Sequence, residues 1–266
     1  MKKIDFTKKH FGMALARMNM PVSELHDFLN VPQFDAIEVP AECFEQFSPE
    51  IASKLTPQRF EHIHCGGLLE YQLTRNIPLC GRSIQDRFIS EAVIVLNRLA
   101  ASGIGFAALE FAMNDVLGSK TETENVRYIL KKLAPVLREF EITLLLPFRI
   151  PVQSDSEAEA MMKFLRDSLV PDVKVRLDIH SHALPRNFTP EKTAGLLRYE
   201  TKSLMFVYDA DSGNRLMPNH VIPWISYMEE VGVNGPFLVS PQSHNQRMSL
   251  PESDFFARFV SELRTR

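Results

Sequence analysis

The feature that most constrains this chain is an alternation: eight short apolar runs of strand length, each followed by a longer amphipathic segment. That rhythm is the signature of βα units around a parallel sheet. The runs are 10–19, 34–40, 59–67, 104–115, 141–151, 173–184, 203–211 and 235–241. The segments expected to be helical are 21–29, 41–55, 83–101, 122–140, 156–169, 190–199, 218–231 and 253–266. In 122–140, Val126, Ile129, Leu130, Leu133, Leu137 and Phe140 recur at nearly helical spacing. Thr121 and Glu124 have capping-box spacing at its start. Ser154 or Ser156 suits the next N-cap, and Asp155, Glu157 and Glu159 complement the positive end of that helix. Pro190 fits a first helical turn after Thr189. Strict alternation favours a closed (β/α)8 barrel over a doubly wound sheet, and no GxGxxG or P-loop follows any run. A length of 266 residues suits one such α/β domain spanning 1–266.

Bulk properties exclude several classes. Net charge is −3 and no basic stripe runs along the chain, so nucleic acid is not the expected partner. No apolar stretch is long enough to span a membrane. Cys43, Cys65 and Cys80 are odd in number and lack CxxC spacing, which fits neither a disulfide framework nor a zinc ribbon. The start, MKKIDFTKKHFG, carries charge but no apolar run, unlike a signal peptide. The expectation is a cytoplasmic protein in a reducing compartment, with its oligomeric state open.

Barrel sites lie at the carboxyl ends of the strands. There, a polar residue between apolar neighbours points to the axis, because side chains alternate. This rule selects Arg17, Glu38, His62, His64, Glu110, Asn114, Arg149, Arg176, Asp178, His180, Asp209, Asp211, Arg215, Ser240, Gln242 and His244. For each, the plainer reading is a structural ion pair or a satisfied core histidine, since buried charge demands a partner. Arg176 and His62 lie deeper, where that reading is strongest. Glu110, Asp178 and His180 are the candidate catalytic groups. Glu38, His64, Arg149, His182, Arg215 and His244 are candidate substrate contacts. His64 beside Cys65 points to the opposite face, so Cys65 reads as structural. Trp224, Tyr227 and Met228 read as helix packing. The loop 66–82, with Tyr71, Arg75, Asn76 and Arg82, suits a lid or a solvated crossover.

The motifs FDAIEVP, LNRLAASGIGFAALE, FEITLLLPF, VKVRLDIHSHA and VGVNGPFLVS, in this order and spacing, resemble the xylose isomerase-like barrel superfamily. That group includes sugar isomerases, ketose epimerases, inosose dehydratases and endonuclease IV-type nucleases. The resemblance implies a sugar- or polyol-like substrate and a divalent metal held by Glu, Asp, His and Glu on strands 5 to 8. Carried over by position, Asp178 matches. The other three positions fall on Pro147, about Phe206, and Ser240. A substrate-contacting His falls on Ser181, flanked by His180 and His182, and Arg215 matches a basic residue after strand 7. The implied site is degenerate, and no metal is expected at the standard position. A remodelled site of Glu110, Asp178, His180 and His64 would suit zinc, manganese or iron. The same groups could work without metal, with His180 or Glu110 as general base.

Two further motifs compete. HIHCGG resembles the HxH of amidohydrolase barrels, and DIHSHALP resembles the opening motif of PHP phosphoesterases, though each belongs on the first strand of its family. Three readings therefore stand: an isomerase- or epimerase-like sugar enzyme with a remodelled site, a non-catalytic ligand- or partner-binding barrel, and a metal-dependent hydrolase using His62, His64 and Asp178.

Overall fold

The structure is a computed structural model that describes residues 5–14, 33–41, 44, 60–67, 81–109, 111, 113–151, 155–180, 190–191, 195–209, 216, 218–233, 235–242 and 250–265. Eight parallel strands close into one barrel in chain order. They are β1 Phe11–Ala14, β2 Ala36–Pro40, β3 His62–Gly66, β4 Phe106–Ala108, β5 Thr143–Ile150, β6 Val173–His180, β7 Thr201–Asp209 and β8 Phe237–Gln242. Closure is made by β1 against β8, where Gly12 sits opposite Leu238. The described helices are α1 Arg82–Ala101, α2 Met113–Gly118, α3 Lys120–Glu139, α4 Asp155–Ser168, α5 Pro218–Glu230 and α6 Leu250–Arg264. The expected single (β/α)8 barrel is what the chain forms. No helix among the described residues is long and apolar enough to cross a membrane.

Period-two alternation divides each strand between two apolar layers. Leu144, Leu146, Phe148, Val175, Leu177, Ile179, Leu204 and Phe206 join the core beneath the helices. Ala14, Ala36, Met205, Val207 and Leu238 form a separate cluster, the lumen. Trp224, Tyr227 and Met228 are buried in the outer layer, as expected of a helix packed on a barrel. Gly12 is required by close approach: an added Cβ would strike the Ala36 carbonyl of the neighbouring strand.

Boundaries shift where local chemistry differs from the expectation. The fourth run was expected to stay extended to Asp115, yet β4 ends at Ala108 and α2 begins at Met113. Met113 and Val116 are both buried, and their three-residue spacing serves a helix rather than a strand. The cap of α3 is Ser119, whose side chain accepts from Glu122 N at 3.3 Å. Ser119 and Glu122 thus take the capping-box spacing that Thr121 and Glu124 also have, and Thr121 lies inside the helix. Helix α4 begins at Asp155, so Ser156 is not its cap, and Ser154 lies outside the described residues. Helix 21–29, nearly all of 41–55, the 66–82 loop beyond Gly67 up to Cys80, and the ends of runs 1 and 6 also lie outside them.

Candidate functional site

Strand β6 sets the centre of the barrel. Its outward residues Leu177 and Ile179 are fully buried against helices, which turns Arg176 and Asp178 into the lumen. A register irregularity between Val175 and Arg176 places Arg176 opposite Ser203 of β7. On the far side, β2 contributes Glu38, flanked by the outward Ile37 and Val39. Arg176 and Glu38 are 0% exposed and Asp178 is 3% exposed.

These three side chains form one network. Arg176 Nε donates to Asp178 Oδ1 at 2.7 Å, and Nη2 donates to Asp178 Oδ2 at 3.2 Å. Nη1 donates to Glu38 Oε2 at 2.7 Å. The guanidinium therefore holds one carboxylate in a bidentate fork and a second by its remaining edge. Such a cation in a low-dielectric lumen satisfies the acids that closure of the barrel would otherwise strand.

Next to Glu38 in the ladder is His64 of β3. Its ring stacks on Phe106 with centroids 4.7 Å apart. Both ring nitrogens are buried without a hydrogen-bond partner, as are the hydroxyls of Ser203 and Ser240. Burial first, then His62 and the Arg176 charge, hold the His64 imidazole down to about 3, so it is neutral at physiological pH. Orphaned polar atoms of this kind mark places where ordered water or a polar ligand belongs.

Towards the carboxyl-terminal mouth, Arg149 is exposed and His180 is half-buried. Asn114 is not a free site residue. Its Oδ1 accepts from Arg149 N at 2.9 Å and its Nδ2 donates to Glu157 Oε2 at 2.9 Å, which clamps the end of β5 to α4. Glu110, His182, Arg215 and His244, together with Arg17 and Asp211, lie outside the described residues. Cys65 is buried with its thiol directed at its neighbour's carbonyl, in keeping with a structural role.

The described members of the expected metal cluster do not converge. Among the described residues, one group of three brings metal-ligating atoms within 4.8 Å of one another, and it is His10, Glu61 and His62. Neither Asp178, His180 and His64 nor His62, His64 and Asp178 makes such a set. His62 stands at the first residue of β3, at the amino-terminal rim, and its ring meets His10 edge-on at 4.4 Å. Reasoning from strand carboxyl ends missed His10 and Glu61. The signal available was their position just before two strands that flank β2.

No protein-family model and no curated protein matches the chain by sequence. Solved structures do match along nearly its whole length. D-psicose 3-epimerase from Clostridium cellulolyticum H10, solved with D-tagatose, is 12% identical with a TM-score of 0.68 over 96% of this chain and 98% of its own. The 3-keto-D-glucoside 4-epimerase from E. coli is 10% identical with a TM-score of 0.66, over 97% of this chain and 100% of its own. An AP endonuclease of family 2 from Brucella melitensis is 15% identical with a TM-score of 0.66, over 95% and 98%. At such identities the likeness establishes a shared fold, the closed (β/α)8 barrel.

Proposed function

We propose that this barrel binds a sugar- or polyol-like small molecule at its carboxyl-terminal mouth, with a built-in guanidinium where the resemblance implies a divalent metal. The observation that carries this reading is the bidentate fork of Arg176 on Asp178, the one ligand position that matches. Both oxygens of that carboxylate already accept from a cation the chain itself supplies. Pro147 and Ser240 take two other positions, and neither offers the charge a hard cation requires. The expected histidine position at Phe206 is turned outward into the helix layer, while Met205 and Val207 face the lumen beside it.

The ligand class follows from donor chemistry. Arg149 and His180 offer hydrogen-bonding groups at the described part of the mouth, and the polar lumen continues below them. Hydroxyl-rich neutral molecules suit a few convergent donors in an otherwise apolar wall. The psicose and ketoglucoside neighbours described above are named as epimerases of sugars. The endonuclease neighbour has less bearing, because a net charge of −3 does not favour a polyanion. Proton transfer is assigned to His180 and, from the sequence alone, to Glu110, which lies outside the described residues.

Thermal-shift and calorimetric titration of chelator-treated protein with ketohexoses, aldoses and polyols tests the reading. At least one compound is expected to raise the midpoint, and Arg149→Ala is expected to weaken that compound about tenfold, the size of one lost hydrogen bond. The reading fails if no compound binds. It also fails if binding requires added manganese or zinc and disappears in Asp178→Asn.

A further inference from the structure

We infer that the amino-terminal rim of the barrel holds a transition-metal ion of the zinc class on His10, Glu61 and His62. The site lies at the opposite end of the barrel from the proposed ligand mouth and does not depend on it. Its ligating atoms all fall within 4.8 Å of one another. His10 Nδ1 is buried and makes no hydrogen bond, although Glu61 Oε2 stands 3.3 Å away. A buried nitrogen facing a carboxylate without bonding it is where an ion between the two would sit.

The donor set selects the metal. Two imidazoles and one carboxylate form the three-ligand arrangement that leaves zinc a fourth position for water. Calcium and magnesium prefer all-oxygen shells. Zinc needs its ligand atoms about 2 Å from the ion, and the 3.3 Å between His10 Nδ1 and Glu61 Oε2 lets one ion reach both. The Glu61 side chain is 66% exposed and free to swing inward.

The backbone already places these groups. Phe237 N donates to His10 O at 2.8 Å, tying the residue before β1 to β8. Glu61 N and His62 N both donate to Asp35 O, at 2.8 Å and 3.2 Å, tying the start of β3 to the residue before β2. The Asp35 carboxylate is engaged: Oδ1 accepts from Phe11 N at 2.6 Å and Oδ2 accepts from Arg264 Nη2 at 2.7 Å. It lies 3.8 Å from His10 Nδ1, beyond hydrogen-bond distance, so it adds negative charge beside the site without being a ligand. An ion here would pin the leading ends of β1 and β3 across β2. In this fold, such a role at the bottom face belongs to stability rather than catalysis.

The competing arrangement is a protonated His10 paired with Glu61 and Asp35 and no metal. The full chain is stripped with chelator, dialysed and titrated with zinc, with bound metal counted and the thermal midpoint followed. One equivalent is expected, together with a zinc-dependent rise in midpoint. Glu61→Gln and His62→Asn should each weaken zinc at least tenfold and abolish that rise. Glu61→Gln removes an exposed carboxylate and keeps the fold testable, as circular dichroism would verify. Failure to retain zinc, or equal retention by wild type and both variants, overturns the inference.

Discussion

The lumen and the amino-terminal rim of this barrel use the same kinds of residue, acids beside imidazoles, yet they solve the problem of charge differently. In the lumen, Arg176 is buried between Glu38 and Asp178 and satisfies both. At the rim, Arg264, half-exposed, is engaged with Asp35, and among the described residues Glu61 stands against imidazoles. A carboxylate cluster is thus a ligand site only where the chain has not already placed its own cation there. On the readings proposed above, that difference puts a metal at the rim and an organic ligand at the mouth.

The largest test of this contrast is Arg176→Met. It removes the cation from two fully buried acids and is expected to cost about 3–5 kcal/mol in denaturant unfolding. Adding Glu38→Gln and Asp178→Asn should recover much of that loss. A cost of the single variant below about 1 kcal/mol would show that the network behaves like a surface pair and would break the comparison on the lumen side.

His64 gives a smaller, pH-dependent effect. Its folded value of about 3 lies below the ordinary 6.5, so between those pH values the unfolded chain takes up a proton that the native state refuses. Stability contributed by this group is full above pH 6.5 and is lost as pH falls toward 3, at about 1.4 kcal/mol per pH unit. His64→Phe keeps a ring against Phe106 and should flatten the pH dependence of unfolding by one proton in that window. Equal slopes in the two proteins would mean that His64 is protonated in the fold.

Glu61→Gln sharpens the rim side through the smallest effect. In metal-free protein its carboxylate is exposed, so the change is expected to cost less than about 1 kcal/mol. With zinc present the same variant should lose the whole metal-dependent stabilisation, which grows with zinc concentration over its dissociation constant. A large metal-free cost would mean that Glu61 is structural in its own right.

Much of this was legible in the residues. Leu177 and Ile179 around Asp178, or Ile37 and Val39 around Glu38, announce which face is which, because period two is a local property of an extended chain. Strand β4 ended early because Met113, in the tail of its run, pairs at helical spacing with buried Val116 just beyond it, a competition the apolar run concealed. The partner of Asp178 was harder to name. Arg176 and Asp178 are two residues apart on one strand, but Glu38 is 138 residues away from the guanidinium that it shares. His10 and Glu61 escaped because they sit just before strand starts, where nothing in the alternation marks a site, and His62 was grouped with His64 rather than with them.

By itself, the sequence determined the eightfold alternation, the barrel and the lumen-facing identity of Glu38 and Asp178. Those follow from hydrophobic period and side-chain direction, which act within a few residues. Tertiary structure alone decided which acids are neutralised and which are left to bind. That outcome depends on distances across a closed lumen and between neighbouring strand ends, and Coulomb and hydrogen-bond energies are set by those distances, not by residue order.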